Sequence, residues 1–304
     1  MIIAQDKITE YLEAYHAGKI SMGLDCGVYE LDHAIRYKQG QLVVINGHDN
    51  VGKTAWIIWY FLCLSVKHDI KWTIWSGEND SGQLVSTLIE FYTGKRINQL
   101  DFKEVLKLQN KMNNWFTFVD NSNIYTAEEL FKIFEETKSD GCLIDPYTGL
   151  NRSYTHAANY EFLNLSRHFC NRTGITLYVN THPQSEASRR EYPKGHEWEG
   201  YQMPPKKSDT EGGQPFANRP DDFITIHRLV GHPTEQYNTH VYVRKVKNTR
   251  TGGQVTDIKT PILFNYNGGF GFTNNGSSPL NSTIKDDLEL TNETLNKMRG
   301  EVEW

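Results

Sequence analysis

The chain has 304 residues, of which 38% are apolar and 12% aromatic, enough to bury a large core and too many for a disordered chain. Its four cysteines (Cys26, Cys63, Cys142, Cys170) are widely spaced and form no Cys-x-x-Cys pair, which argues against a structural zinc site or a disulfide framework. A net charge of −5 excludes a protein that meets polyanions through its overall field, so any such contact must come from local patches.

In chain order, MIIAQDKITEYLEAY carries charges every few residues, unlike a signal or transit peptide. Residues 8–19 form an amphipathic stretch that can pack on its own core or on a neighbouring copy. Residues 41–47 (QLVVING) read as a buried strand, and 54–68 as a helix apolar almost all round. Strand 71–76 and helix 83–94 follow, the latter closed by Gly94. VLKLQNKMNNW reads as helical and 116–120 as a strand. Residues 126–138 read as a helix capped by Thr126. Then come strand 141–145, helix 159–173, strands 175–181, 222–229 and 239–247, and a terminal strand or hairpin over 261–272. Short apolar runs alternating with longer amphipathic stretches predict an α/β fold around a parallel sheet. Residues 184–221 break the rhythm, with five of the ten prolines and no periodic apolar face. Residues 274–283 read as a linker, and the last 20 residues as an acidic tail. The expected division is a packing segment at 1–20, a folded domain at 21–273, and linker plus tail at 274–304. No window approaches 18 uninterrupted apolar residues, so no membrane span is expected.

The strongest local signal is Gly47-His48-Asp49-Asn50-Val51-Gly52-Lys53-Thr54, a GxxxxGK[ST] phosphate loop between a predicted strand and helix. The chemistry needs that placement. Glycines permit a tight turn whose amides point inward, and the helix N-terminus adds positive potential. Gly47, Asn50, Val51 and Gly52 supply the loop. Lys53 suits the β- and γ-phosphates of ATP or another nucleoside triphosphate, and Thr54 suits Mg²⁺. Partners are expected at neighbouring strand ends. Asp145 closes an apolar strand and fits a Mg²⁺-coordinating acid, Glu78 fits a base for the attacking water, and His182 fits a neutral γ-phosphate sensor. Asp49 is electrostatically awkward in such a loop unless it turns away.

The ordered series GQLVVINGHDNVGKT, WSGEND, CLIDPYTGL, NTHP, GGQPFANRPDDFITIHR and VRKVKNTRTGG resembles the RecA-type core of DnaB-like replicative helicases, including phage primase-helicases and Twinkle, over roughly residues 20–270. The resemblance implies a RecA-like, mostly parallel sheet with a C-terminal antiparallel extension. It implies a motor that hydrolyses nucleoside triphosphate to move on single-stranded DNA as a homo-oligomeric ring, expected to be a hexamer. Glu78 matches the catalytic glutamate, Asp145 the second-motif aspartate and His182 the γ-phosphate sensor. Arg250 matches the arginine finger that enters a neighbour's site, with Lys247 as its companion. Thr249 departs from the family's tighter Lys-x-Arg spacing. Asp221 and Arg228 match a structural Asp and Arg, with Asp222 leaving that register open by one. No primase or zinc-ribbon segment is expected in this sequence, so for a helicase priming is either supplied by a separate primase or replisome protein or not needed. The likeness also implies a phage-encoded protein acting in a bacterial cytoplasm.

DNA contacts are expected within 184–221, from Arg189, Arg190 and Lys194 in preference to Lys206 and Lys207. Tyr192, His196, Trp198 and Tyr201 lie interleaved as possible stacking faces. Five acids within 185–210 (Glu186, Glu191, Glu197, Glu199, Asp209) make that segment locally neutral. Two other readings stay open: a recombination or repair ATPase that forms filaments on DNA, and a nucleotide-dependent replisome adaptor or loader.

Overall fold

A computed structural model describes residues 5–20, 22–153 and 155–280. Among the described residues, nine strands form one sheet: β1 (Leu42–Asn46), β2 (Trp72–Ser76), β3 (Phe116–Phe118), β4 (Gly141–Asp145), β5 (Thr176–Thr181), β6 (Asp222–Arg228), β7 (Asn238–Val246), β8 (Ile262–Tyr266) and β9 (Phe272–Thr273). Their order is β3-β2-β4-β5-β1-β6-β7-β8-β9. The first six are parallel to their neighbours, and β7 to β9 continue antiparallel. The helices are α1 (Gln5–His16), α2 (Tyr29–Ala34), α3 (Lys53–His68), α4 (Ser81–Thr93), α5 (Phe102–Asn113), α6 (Ala127–Thr137), α7 (His156–Thr173), α8 (Ser185–Ser188) and α9 (Gln214–Asn218).

The central strands are buried on both faces, as a parallel sheet requires. Their side chains alternate between two cores. Val43, Ile45, Leu143 and Tyr178 join α3 and α4 on one face. Leu42, Val44, Ile144, Leu177 and Val179 join α6, α7 and α9 on the other. Helix α3 is apolar all round because it is covered all round. Phe61 stacks on Trp72 of β2 at 3.6 Å, while Trp56 and Trp59 meet Phe264 and Phe272 of the antiparallel extension. Each such side chain contributes roughly 1.5–3 kcal/mol.

The predicted caps form. Thr126 and Glu129 make a reciprocal capping box on α6, and Gly94 closes α4 in the left-handed conformation at φ 64°. Two readings change. The segment 184–221 is an ordered lobe carrying α8 and α9, fastened to the sheet by hydrogen bonds from Asn46 to Thr210 (3.2 Å) and from Glu211 N to His182 O (2.8 Å). Residues 274–280, read as linker, are docked. Asn274 donates to Glu30 and to Leu263 O, and Leu280 is buried. Polar composition hid a segment whose amides and one leucine are all used. The rest of that linker and the acidic tail lie outside the described residues.

Candidate functional site

β1 lies where the order of connections reverses: α3 leads from it toward β2, while β6 lies on its other side. In such sheets a crevice opens at the strands' carboxyl ends. Here the crevice is a cleft of 860 Å³ lined by residues from the ends of β1, β2, β4 and β5, and by Ser185 and Ser188 of α8. The phosphate loop forms its floor. Gly47 is required there because a Cβ would collide with Ile226 O on β6, and Gly52 turns into α3 at φ 85°. Arg228, at the end of β6, donates to Asn50 O and so pins the loop from outside. Val51 points into the core, where it packs as an apolar anchor.

Lys53 is buried and its ammonium donates to Gly47 O (2.8 Å) and His48 O (3.0 Å). Burial lowers its pKa, opposed by the carboxylates of Asp145, Asp49 and Glu78. A cation held among three acids beside a ring of amides is poised for a polyanion that arrives with a metal ion. Asp145 is 2% exposed. Thr54 Oγ1 donates to one of its carboxylate oxygens and Asn180 Nδ2 to the other, both at 2.7 Å. Burial raises its pKa, and those two donors, with Lys53, oppose the rise. Thr54 and Asp145 are hard oxygen donors suited to Mg²⁺. Among the described residues no group of three or more His, Cys, Asp or Glu could hold a metal by itself. An Mg²⁺ ion held there would take its remaining ligands from phosphate oxygens and water.

Ser76 pairs in register with Asp145, so Glu78 stands two residues beyond the level of Asp145 on the adjacent strand, exposed along the cleft. Its turn is braced by Asn79 on Ser76 Oγ and by Asn121 on the carbonyls of Ser76 and Asn79. Asp80, not Glu78, caps α4. His182 Nδ1 lies 2.8 Å from Asp49 and 3.3 Å from Lys53 Nζ. One ring nitrogen cannot serve both, and the shorter contact favours N–H toward Asp49. Asp49 thus stays in the cleft lining, engaged by His182 and 83% exposed, so water screens the charge that its place in the loop makes awkward. Asn180 was not anticipated from the sequence. It lies two residues before His182 on β5, on the same face of the strand, a period-2 signal that was available.

Lys247 and Arg250 are not in this cleft. β7 runs antiparallel to β6, with Thr239 opposite Arg228 and Val246 opposite Asp222. Eight residues of strand, about 27 Å, separate the level of Arg228 from Lys247. Lys247 pairs with Asp221 at 3.1 Å, and Arg250 lies over the ring of Tyr15 in α1. Asp221 also accepts from Leu42 N and pairs with Arg167, tying β1, α7 and the end of β7 together. Asp221 and Asp222 are both buried, so both positions carry structural weight.

Of the predicted DNA contacts, Arg189 and Lys194 are exposed, whereas Arg190 pairs with Asp209 inside the lobe. The aromatics are not free faces. Tyr192 stacks on His196 at 4.4 Å and meets Trp198 edge-on, and Trp198 packs on His240 of β7. They form the lobe's own core.

No family model matches the sequence. The Twinkle homolog protein, chloroplastic/mitochondrial, of Arabidopsis thaliana is 22% identical over 276 residues, covering 83% of this chain and 36% of that protein. The chain thus spans little more than a third of that relative. Among solved structures, the ATPase domain of G40P matches with a TM-score of 0.70 at 13% identity, over 89% of this chain and 98% of that one. A DnaB-like replicative helicase, solved for its interactions with primase, matches with a TM-score of 0.70 at 13% identity, over 90% and 67%. The resemblance read from the motifs is met by a sequence relative and by solved folds, and the chain has the RecA-like fold of DnaB-type helicase ATPase domains.

Proposed function

We propose that the chain is the motor domain of a ring-shaped replicative DNA helicase that hydrolyses ATP, or another nucleoside triphosphate, to translocate on single-stranded DNA. The observation that carries this reading is the separation of two halves of a hydrolytic set. Lys53, Thr54, Glu78, Asp145 and His182 meet at one edge of the sheet, and Lys247 and Arg250 lie at the far end of β7. A cation so placed cannot reach its own chain's phosphates. It can reach those of a head-to-tail neighbour, the arrangement that closes into a ring.

In this reading the loop amides and Lys53 hold the β- and γ-phosphates. Mg²⁺ held by Thr54 with Asp145 would neutralise charge on the transferring phosphoryl group. Glu78 accepts the proton of the attacking water, and His182 senses the γ-phosphate. Arg250 of the adjacent copy, with its Lys247, stabilises the charge that develops in the transition state. Helix α1 has no buried residue and exposes Ile8, Tyr11, Leu12 and Tyr15, an apolar face for the neighbouring copy to cover. Arg189 and Lys194 track DNA phosphates, and a separate primase would supply priming. No helix among the described residues is long and apolar enough to cross a membrane.

The test is ATP hydrolysis with and without single-stranded DNA, together with the mass of the assembly and unwinding of a forked duplex. DNA-stimulated turnover by a hexamer with unwinding supports the motor. Turnover indifferent to DNA and absence of unwinding would retire the helicase and leave the nucleoside triphosphatase.

A further inference from the structure

His48 is the second residue of the phosphate loop, at a position the motif leaves unspecified. The residue is 3% exposed at the edge of the cleft, and both its ring nitrogens meet groups outside the phosphate loop. Nε2 lies 3.1 Å from Met203 O, so this nitrogen carries the proton and donates, leaving Nδ1 to accept from Ser188 Oγ at 3.4 Å. Both partners belong to the lobe 184–221. Ser188 directly precedes exposed Arg189, and Met203 N is tied to Arg190 O (2.9 Å). One imidazole therefore bridges the loop that would grip the nucleotide and two segments of the lobe, one of which runs directly into the candidate DNA contact Arg189.

The ring is not held by these bonds alone. It packs edge-on against His227 of β6 (6.3 Å between centroids), which packs against its cross-strand partner His240 (5.9 Å), which meets Trp198 of the lobe. The contact between the His48 and His227 rings is one of shape and packing. Arg228, the next residue, pins the same loop through Asn50 O. Other fastenings of the lobe include two to the sheet: Asn46 to Thr210, and Thr225 to Pro205 O. Those partners sit on rigid strands. His48 sits on the segment that must adjust when phosphates are gripped.

We propose that His48 is a positioning residue that couples occupancy of the phosphate loop to the conformation of residues 185–203. The proposal rests on the cleft being a nucleotide site. Rearrangement of the loop moves the imidazole, and the donor at Nε2 with the acceptor at Nδ1 moves Met203 and Ser188 together. The lobe then presents Arg189 and Lys194 differently in the two states.

Hydrogen exchange of the full chain, with and without a saturating non-hydrolysable ATP analogue and Mg²⁺, tests this. The readout is the ratio of exchange rates in 185–203 between the two conditions. In the wild type the analogue should change this rate about fivefold or more, the lower end of ordinary coupling between sites. His48→Ala should bring the ratio near one at analogue saturation, and His48→Gln, which keeps a donor at the Nε2 position, should restore most of it. A residue that only braces the lobe would raise both rates alike and leave the ratio unchanged. That result, or a wild-type ratio of one with the analogue bound, overturns the coupling. Failure of the wild type to bind the analogue overturns the reading of the cleft instead. A second arm follows binding of a fluorescent oligothymidylate. The analogue-dependent change in its affinity should shrink in His48→Ala. No oligothymidylate binding by the wild type would retire the translocation reading, while the exchange ratio still decides the coupling.

Discussion

The cleft and the lobe at 184–221 adjoin each other and draw on the same residue types, yet they use them in opposite ways. In the cleft, Lys53, Glu78 and His182 line a shared space, where Lys53 donates to main-chain carbonyls and His182 to Asp49 at the rim. In the lobe, Arg190 pairs with Asp209, and Tyr192 and Trp198 pack on each other. Charged and aromatic residues in a sequence are therefore an inventory and not a surface. Whether a cation is available to a ligand depends on whether an acid of its own chain reaches it first, as Asp209 reaches Arg190.

The comparison can be broken most forcefully at the cleft and at the far end of β7. Arg250→Ala should lower hydrolysis about 10³-fold or more. Mixing it with an equally inactive Lys53→Ala chain should recover activity, because each mixed interface can combine an intact cleft with an intact arginine. Steady-state rates across a mixing series measure this, and no recovery at any ratio would place Arg250 outside the site. Glu78→Gln should lower turnover about 10²–10⁴-fold while nucleotide still binds, seen by titration with a fluorescent analogue. A parallel loss of binding would make Glu78 a structural residue of its turn.

The lobe should respond in stability where the cleft responds in rate. Tyr192→Ala should cost about 3 kcal/mol in urea unfolding, because it removes the ring on which His196 and Trp198 pack. Lys194→Ala should leave stability unchanged and lower the salt dependence of single-strand binding by about one phosphate contact. Arg190→Ala should leave that salt slope unchanged, since its charge is already paired. A reduced slope for Arg190→Ala would show that the Asp209 pair opens on DNA.

The smallest effect is in acid. Burial depresses His227 to about 3 and His240 to about 4, below the ordinary value of 6.5. The unfolded chain then binds more protons than the folded one between those limits, so stability is full above about pH 6.5 and falls as pH drops toward 3. Carboxylates contribute over the same range, so the diagnostic is a difference. Replacing His227 and His240 by Phe should flatten the fall in melting temperature between pH 6.5 and 4.

Residue spacing alone located β1, the phosphate loop, α3, and the strand ends bearing Glu78, Asp145 and His182. Each of these depends on neighbours within a few residues, through turn geometry, strand alternation or a helix N-terminus. It could not locate α2, the docking of residues 274–280, the inward packing of the lobe, or the bridge made by His48, which joins residues 140 and 155 positions apart. Those depend on which distant groups meet. That is decided by sheet order and by the requirement that buried polar groups find partners, and only the assembled tertiary structure imposes either.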